Sequence, residues 1–111
     1  MLKASETAAL KSYLNKLDRV KVDYPFSKTL AVYSVEGVAF AYLESGRKLL
    51  ELSLRADPQL AKFLRNKYEE VAQGRKLDPR IWNTIVMSGQ LNSDEIKALI
   101  DHSYQLASEQ V

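Results

Sequence analysis

The apolar positions of the chain first recur with a helical period. Leu10, Leu14, Leu17 and Val20 fall on one face of a 3.6-residue repeat. Ser5 is placed to cap that helix and Glu6 to sit in its first turn. Pro25 disfavours helix at Tyr24, so the helix is expected to stop by about Lys21. The period then changes. Leu30 to Val35 is a β-rich run. Val38 to Leu43 alternates, with Val38, Phe40 and Tyr42 on one face and Ala39, Ala41 and Leu43 on the other. Leu50, Leu52 and Leu54 alternate with Glu51, Ser53 and Arg55, which predicts a half-buried strand whose leucines point into the core. Glu36-Gly37 and Glu44-Ser45-Gly46 supply the turns, Gly46 being free to take a positive φ.

Asp57-Pro58 opens a second helix, with Asp57 as cap and Pro58 in the first turn. Leu60, Ala61, Phe63, Leu64 and Tyr68 form its apolar stripe. Val71 to Lys76 reads as a short strand with Gly74 at a turn or bulge, and Trp82 to Met87 as another, ended by Ser88-Gly89. Asn92 and Glu95 make a capping box for the last helix, whose inner face holds Ile96, Leu99, Ile100, Ser103, Tyr104 and Ala107. The order is helix, three strands, helix, one or two strands, helix. It predicts an α+β fold, a two-layer sandwich of one antiparallel sheet with helices packed mainly on one face. One domain over residues 1–111 is expected, without repeats, low-complexity tracts or a linker.

Composition removes several classes of chemistry. With no cysteine there is no disulfide, thiol nucleophile or zinc-thiolate site, and one histidine excludes a His-rich metal centre. No apolar run approaches the roughly 18 residues of a membrane helix. Met1-Leu2-Lys3-Ala4-Ser5-Glu6 leads into charged sequence, so no secretory signal is expected. The glycines are scattered singly and form no phosphate loop. Asp101-His102-Ser103 has the letters of a catalytic triad, but neighbouring helix positions project about 100° apart and cannot align. His102 is expected at or near the surface, and the Glu69-Glu70 pair is expected to be solvated. No catalytic residue, cofactor or metal ligand is assigned.

The net charge is +2 and unevenly spread: +3 over residues 1–30, 0 over 31–56, +2 over 57–80 and −3 over 81–111. Basic residues cluster beside turns. Arg47-Lys48 follows Gly46, Arg75-Lys76 follows Gly74, Arg80 precedes Trp82, and Arg55 ends the third strand of the meander. Such residues serve as wings against phosphates, or as protection of strand edges. Trp82 is placed either to stack on a partner or to fill the core.

The run Val35-Glu36-Gly37-Val38-Ala39-Phe40-Ala41, then Leu52-Ser53-Leu54-Arg55-Ala56-Asp57-Pro58, then Arg80-Ile81-Trp82-Asn83-Thr84-Ile85 and Asp101-His102-Ser103-Tyr104-Gln105-Leu106, resembles the MmcQ/YjbR family of small bacterial proteins. The resemblance implies a two-layer α+β fold related in architecture to the frataxin group. It also implies a non-enzymatic protein of the kind usually described as DNA-binding. Where the family often has Lys after the turn glycine this chain has Val38, and Asp78-Pro79-Arg80-Ile81 keeps one basic group before the Trp. The expectation is a cytoplasmic monomer that contacts double-stranded DNA non-specifically. Arg47, Lys48, Arg75, Lys76 and Arg80 would touch phosphates, with Arg55 and Trp82 beside them. The alternative is a protein-interaction module using the open face of the sheet. A deep pocket with converging polar groups would instead favour a small ligand.

Overall fold

The computed structural model describes residues 4–74 and 77–110. Helix α1 (Ala4–Lys16) leads to β1 (Val20–Asp23), β2 (Leu30–Val35), β3 (Val38–Glu44) and β4 (Glu51–Arg55); α2 (Pro58–Lys67), β5 (Val71–Gln73), β6 (Trp82–Val86) and α3 (Ser93–Ser108) follow. The strands form one antiparallel sheet in the order β1-β2-β3-β4-β6-β5. All three helices lie against one face, so the fold is a two-layer α+β sandwich.

The local signals act as the side chains require. Asp57 accepts a hydrogen bond from the Leu60 amide at 3.0 Å, and the Asn92–Glu95 capping box is closed in both directions. Glu36 and Gly37 both have positive φ, 47° and 84°, as a two-residue hairpin between twisted strands demands. Leu52, Leu54, Tyr33, Leu43 and Ile85 face the helices and meet Leu14, Leu64, Ile96 and Ile100 there. The register of the leucine strand is as the alternation predicts.

Several elements depart from the sequence reading. α1 ends at Lys16, inside the limit near Lys21 that Pro25 sets, but Ser5, read as its cap, lies within the helix. Val20 belongs to β1, a four-residue edge strand with Lys21, Val22 and Asp23 exposed. Val20-Lys21-Val22-Asp23 alternates, but over only four residues, and Val20 also continues the helical stripe of Leu10, Leu14 and Leu17; its pairing with β2 supplies the order. Phe63 is 56% exposed, because only Ala61 and Leu64 of α2 reach the core fully. Gly46 does not take a positive φ. It is small because a β-carbon there would come 2.7 Å from Thr29 Oγ1.

The alternation of β3 is broken. Tyr33 pairs with Ala41 and Ser34 with Ala39, so Phe40 has no opposite residue and forms a bulge. Phe40 therefore faces the helices, edge-on to Tyr104 at 5.5 Å, although Ala41 and Leu43 face them too. Tyr42 is left on the far face, away from Phe40.

Glu70 is also a correction. It is 6% exposed rather than solvated. Its carboxylate accepts from the Ser88 amide and hydroxyl, each at 2.9 Å, and from the Leu91 amide at 2.7 Å. It thereby organises the turn into α3.

Trp82 is 5% exposed and lies on the far face against Tyr42 (5.3 Å between ring centres). Trp82→Ala should cost about 3–5 kcal/mol in urea denaturation. A loss below about 1 kcal/mol would show that the ring contributes little packing.

Candidate functional site

The sheet face opposite the helices carries the candidate site. Its floor is set by cross-strand pairing. Tyr42 pairs with Ser53, Glu44 with Glu51, Ser53 with Thr84 and Arg55 with Trp82. Ser53 and Thr84 share a 2.7 Å hydroxyl–hydroxyl bond. Loops then fold over this floor, so that Glu51 and Ser53 are only 8% exposed, although they point away from the core as predicted. What remains open is a cavity of about 610 Å³. Phe26 and Leu30 bound it on one side and Leu77 on another, with Tyr42, Glu44, Glu51, Ser53 and Arg47 completing it.

The electrostatics are mixed. Arg47 Nε stands 3.8 Å from Glu51 Oε1. Hydrogen bonds from the Thr29 side chain and the Gly46 amide hold the Glu44 carboxyl below its ordinary pKa, so it is anionic at neutral pH. The two carboxylates stand beside each other on one wall, not on facing walls. No histidine or cysteine lines the cavity. Among the described residues no three of His, Asp and Glu stand together as metal ligands.

The residues singled out from the sequence are not one patch. Arg55 and Trp82 come together: the guanidinium carbon lies 4.8 Å from the indole centre, and Arg55 Nε donates to the Ala39 carbonyl at 2.6 Å. Burial pulls the Arg55 pKa below its ordinary value. Arg80 is close to this end of the sheet in sequence, exposed, and doubly bonded to Asp78. Arg47 and Lys48 are exposed at the opposite end, since Glu51 pairs with Val86 while Arg55 pairs with Trp82. Four residues of strand separate the ends, roughly 13 Å. Arg75 and Lys76 lie outside the described residues. Phe26, Leu30 and Leu77 come from loops or a strand end and carry no periodic signal, so the sequence does not mark them as lining. His102 is part-buried on α3, where its Nε2 accepts from the Asp57 amide at 3.4 Å.

The YjbR family model matches residues 15–106. This chain belongs to the YjbR family. The match takes in every strand and the whole wall of the cavity. A YjbR family relative in Escherichia coli K12, described as an uncharacterized protein, is 36% identical over 73 residues. The aligned part is 66% of this chain and 62% of the length of that relative. Solved structures share the fold. A Deinococcus radiodurans protein with a DUF419 domain superposes with a TM-score of 0.88 at 24% identity, over 94% of this chain and 79% of its own. A Pseudomonas syringae protein gives 0.78 at 22% identity in its crystal structure, over 96% of this chain and 99% of its own. Among the described residues, no helix of this YjbR family member is long and apolar enough to cross a membrane.

The Asp78–Arg80 contact makes a direct prediction. Arg80 holds the Asp78 carboxyl down at about 2, against an ordinary value of 3.8. The folded pKa is depressed, so this contact stabilises the protein above pH 3.8 and the contribution fades as pH falls through about 2. A carboxyl-carbon NMR titration should place the Asp78 midpoint near 2, and Arg80→Ala should return it toward 3.8. An unchanged midpoint in the variant would remove Arg80 as the cause.

Proposed function

We propose that the protein is a non-enzymatic, cytoplasmic interaction module that works as a monomer through the sheet face opposite the helices. The observation that carries this reading is the cavity between Phe26, Tyr42, Glu51 and Leu77, with Phe26 72% exposed at its rim. Tyr24, 47% exposed, lies two positions before Phe26 in the same segment, whereas Val22 pairs with Tyr33 and belongs to the helix face. Exposed aromatic side chains beside a cavity are the usual anchors of a protein contact. The cavity is also of the size that holds a small ligand. The terminal helices packed on one face of an antiparallel sheet support reading the architecture as frataxin-like.

DNA binding is the second reading, favoured by the exposure of Arg47, Lys48 and Arg80. Two features weigh against a strong phosphate surface. Arg47 has Glu51 as ion-pair partner and Arg80 has Asp78, and the basic turns stand at opposite ends of the strands. Of the described helices, α3 carries Asp94, Glu95 and Asp101 against Lys97, and α2, whose charged residues Lys62, Arg65 and Lys67 are all basic, has Arg65 bonded to Asn83 and to the Pro79 carbonyl.

One pair of measurements separates the readings. In a duplex-DNA titration from about 50 mM salt upward, the DNA reading expects weak, sequence-independent binding. Its slope of log K against log salt should be no steeper than about −4 to −5, flattened when Arg47, Lys48 and Arg80 become Ala. The interaction reading expects no such binding. It expects a photo-crosslinker at Phe26, but not one at Lys97 on the helix layer, to give discrete adducts in cells. Absence of adducts from Phe26 together with salt-dependent DNA affinity would reverse the order of the two readings.

A further inference from the structure

The outward face of α2 differs in composition from the rest of the helix layer. From Pro58 to Lys67 the helix holds no acid, not even in the first turn, where the helix dipole favours one. A solvated helix face commonly has acids four positions before its lysines. Here those positions are Pro58 and Phe63. Ala61 and Leu64 fix the helix on the core. At 100° per residue, Lys62, Asn66, Gln59, Phe63 and Lys67 then fall within one arc of about 140° on the other side. All five are exposed. Phe63 stands between the two lysines in this arc. Among the described residues it is the one large apolar side chain exposed outside the segment from Val22 to Phe26.

The two lysines keep their charge available. Arg65 is committed inward, to Asn83 and the Pro79 carbonyl. Lys62 has no hydrogen bond or ion pair among the described residues. Lys67 has no ion pair with a described acid; its ammonium stands 5.6 Å from the centre of the Phe63 ring and 5.2 Å from that of Tyr68. The neighbouring acids have other tasks. Asp57 caps α2 through the Leu60 amide. Glu95 accepts from the Asn92 amide and the Tyr68 hydroxyl, and these two lower its pKa more than Lys67 does. Glu69 lines the recess beside β5 with Glu70 and Ser88.

A cationic face with an aromatic centre is complementary to carboxylates set around an apolar side chain. Nucleic acid fits it less well. Affinity for a phosphate backbone grows with the number of phosphates neutralised, and this face offers two free cations on a helix about 15 Å long. Single strands bind along a charged groove in which successive bases stack on rings. The α2 face is a convex ridge with one exposed ring.

We propose that the outward face of α2 is a docking surface for an acidic polypeptide segment, its carboxylates on Lys62 and Lys67 and an apolar side chain between them on Phe63. This surface belongs to the helix layer and is independent of the sheet face opposite. A partner could engage it while the sheet face is occupied.

The test is an NMR titration of the labelled full chain at low salt with four probes. They are the capped peptides Glu-Glu-Leu-Leu-Glu-Glu, Gln-Gln-Leu-Leu-Gln-Gln and Glu-Glu-Gly-Gly-Glu-Glu, and a short oligothymidylate. The first should shift the Lys62, Phe63, Asn66 and Lys67 amides. It should bind at least about tenfold tighter than the glutamine peptide and about threefold or more tighter than the glycine peptide. Phe63→Ala, at an exposed position, should keep the amide dispersion of the fold and lower the affinity about threefold or more. Lys62→Gln should lower it about fivefold, and Lys16→Gln, which removes the same charge from an exposed position of α1, less than about twofold. Equal losses from the two lysine variants would show general electrostatic attraction and overturn the site. Equal binding of the glutamate and glutamine peptides would overturn the acidic partner. Oligothymidylate binding at α2 as tightly as the first peptide would overturn the polypeptide and put nucleic acid in its place. No shift of the α2 amides with the first peptide would end the proposal. The Phe26 crosslinking result is unaffected by any of these outcomes, so the sheet-face reading stands or falls separately.

Discussion

The relation between the helix layer and the sheet turns on one buried hydroxyl. Ser103 of α3 is fully buried and donates to the Phe40 carbonyl at 2.5 Å. It also accepts from the Arg55 amide at 2.8 Å. One side chain thus joins α3 to the bulge of β3 and to the end of β4. A bulge leaves backbone groups without ladder partners, and such groups buried unpaired cost about 1–3 kcal/mol each. Ser103 meets that need at the place where the sheet is irregular. The bulge in turn decides which residues face which layer. It keeps Phe40 among the helices and sends Tyr42, and with it Glu44, to the far side. Without the extra residue, Phe40 and Tyr42 would share a face and the cavity would lose an aromatic wall.

That dependence shows why the fold was more legible in the sequence than the site. Leu52 and Leu54 alternate with Glu51 and Ser53, and a strand period of two assigns their faces without further information. Asp57-Pro58 and Asn92…Glu95 are local chemistry, so the helix starts could be read from a few residues. The bulge has no such signature. Val38 to Leu43 alternates smoothly in sequence, and only the pairing with β2 and the Ser103 contact create the slip. β1 was hidden for a related reason: Val20-Lys21-Val22-Asp23 alternates over only four residues and Val20 also fits the preceding helical stripe, so the ladder that β2 offers decides its state.

The site also depends on loop geometry that periodicity does not carry. Thr29 and Gly46 approach so closely that only glycine fits, which brings the loop before β2 against the β3–β4 turn. The Ser45 amide donates to the Thr29 carbonyl at 3.0 Å and closes that contact. Phe26 and Arg47 therefore border one cavity although 21 positions separate them. Alternation assigns a strand position to a face and says nothing of what covers that face. Glu51 and Ser53 face away from the core and are still buried, since loops lie over them.

Charge counted along segments misleads in the same way. Residues 57–80 sum to +2, yet Arg80 is engaged by Asp78 and Arg65 donates to Asn83 and to the Pro79 carbonyl. Residues 31–56 sum to 0, yet they place two carboxylates and one arginine on the same cavity. A phosphate-binding face needs cations whose charge reaches solvent uncompensated and close enough to act together. Here Arg55 is committed to Trp82 and the Ala39 carbonyl, and Arg47 faces Glu51. The charges of this face are thus spent largely on holding its own loops and strand ends. What the fold leaves open on this face is a recess of mixed aromatic and charged lining, and the bulge and the β3–β4 pairing are what bring Tyr42, Glu44 and Glu51 together there.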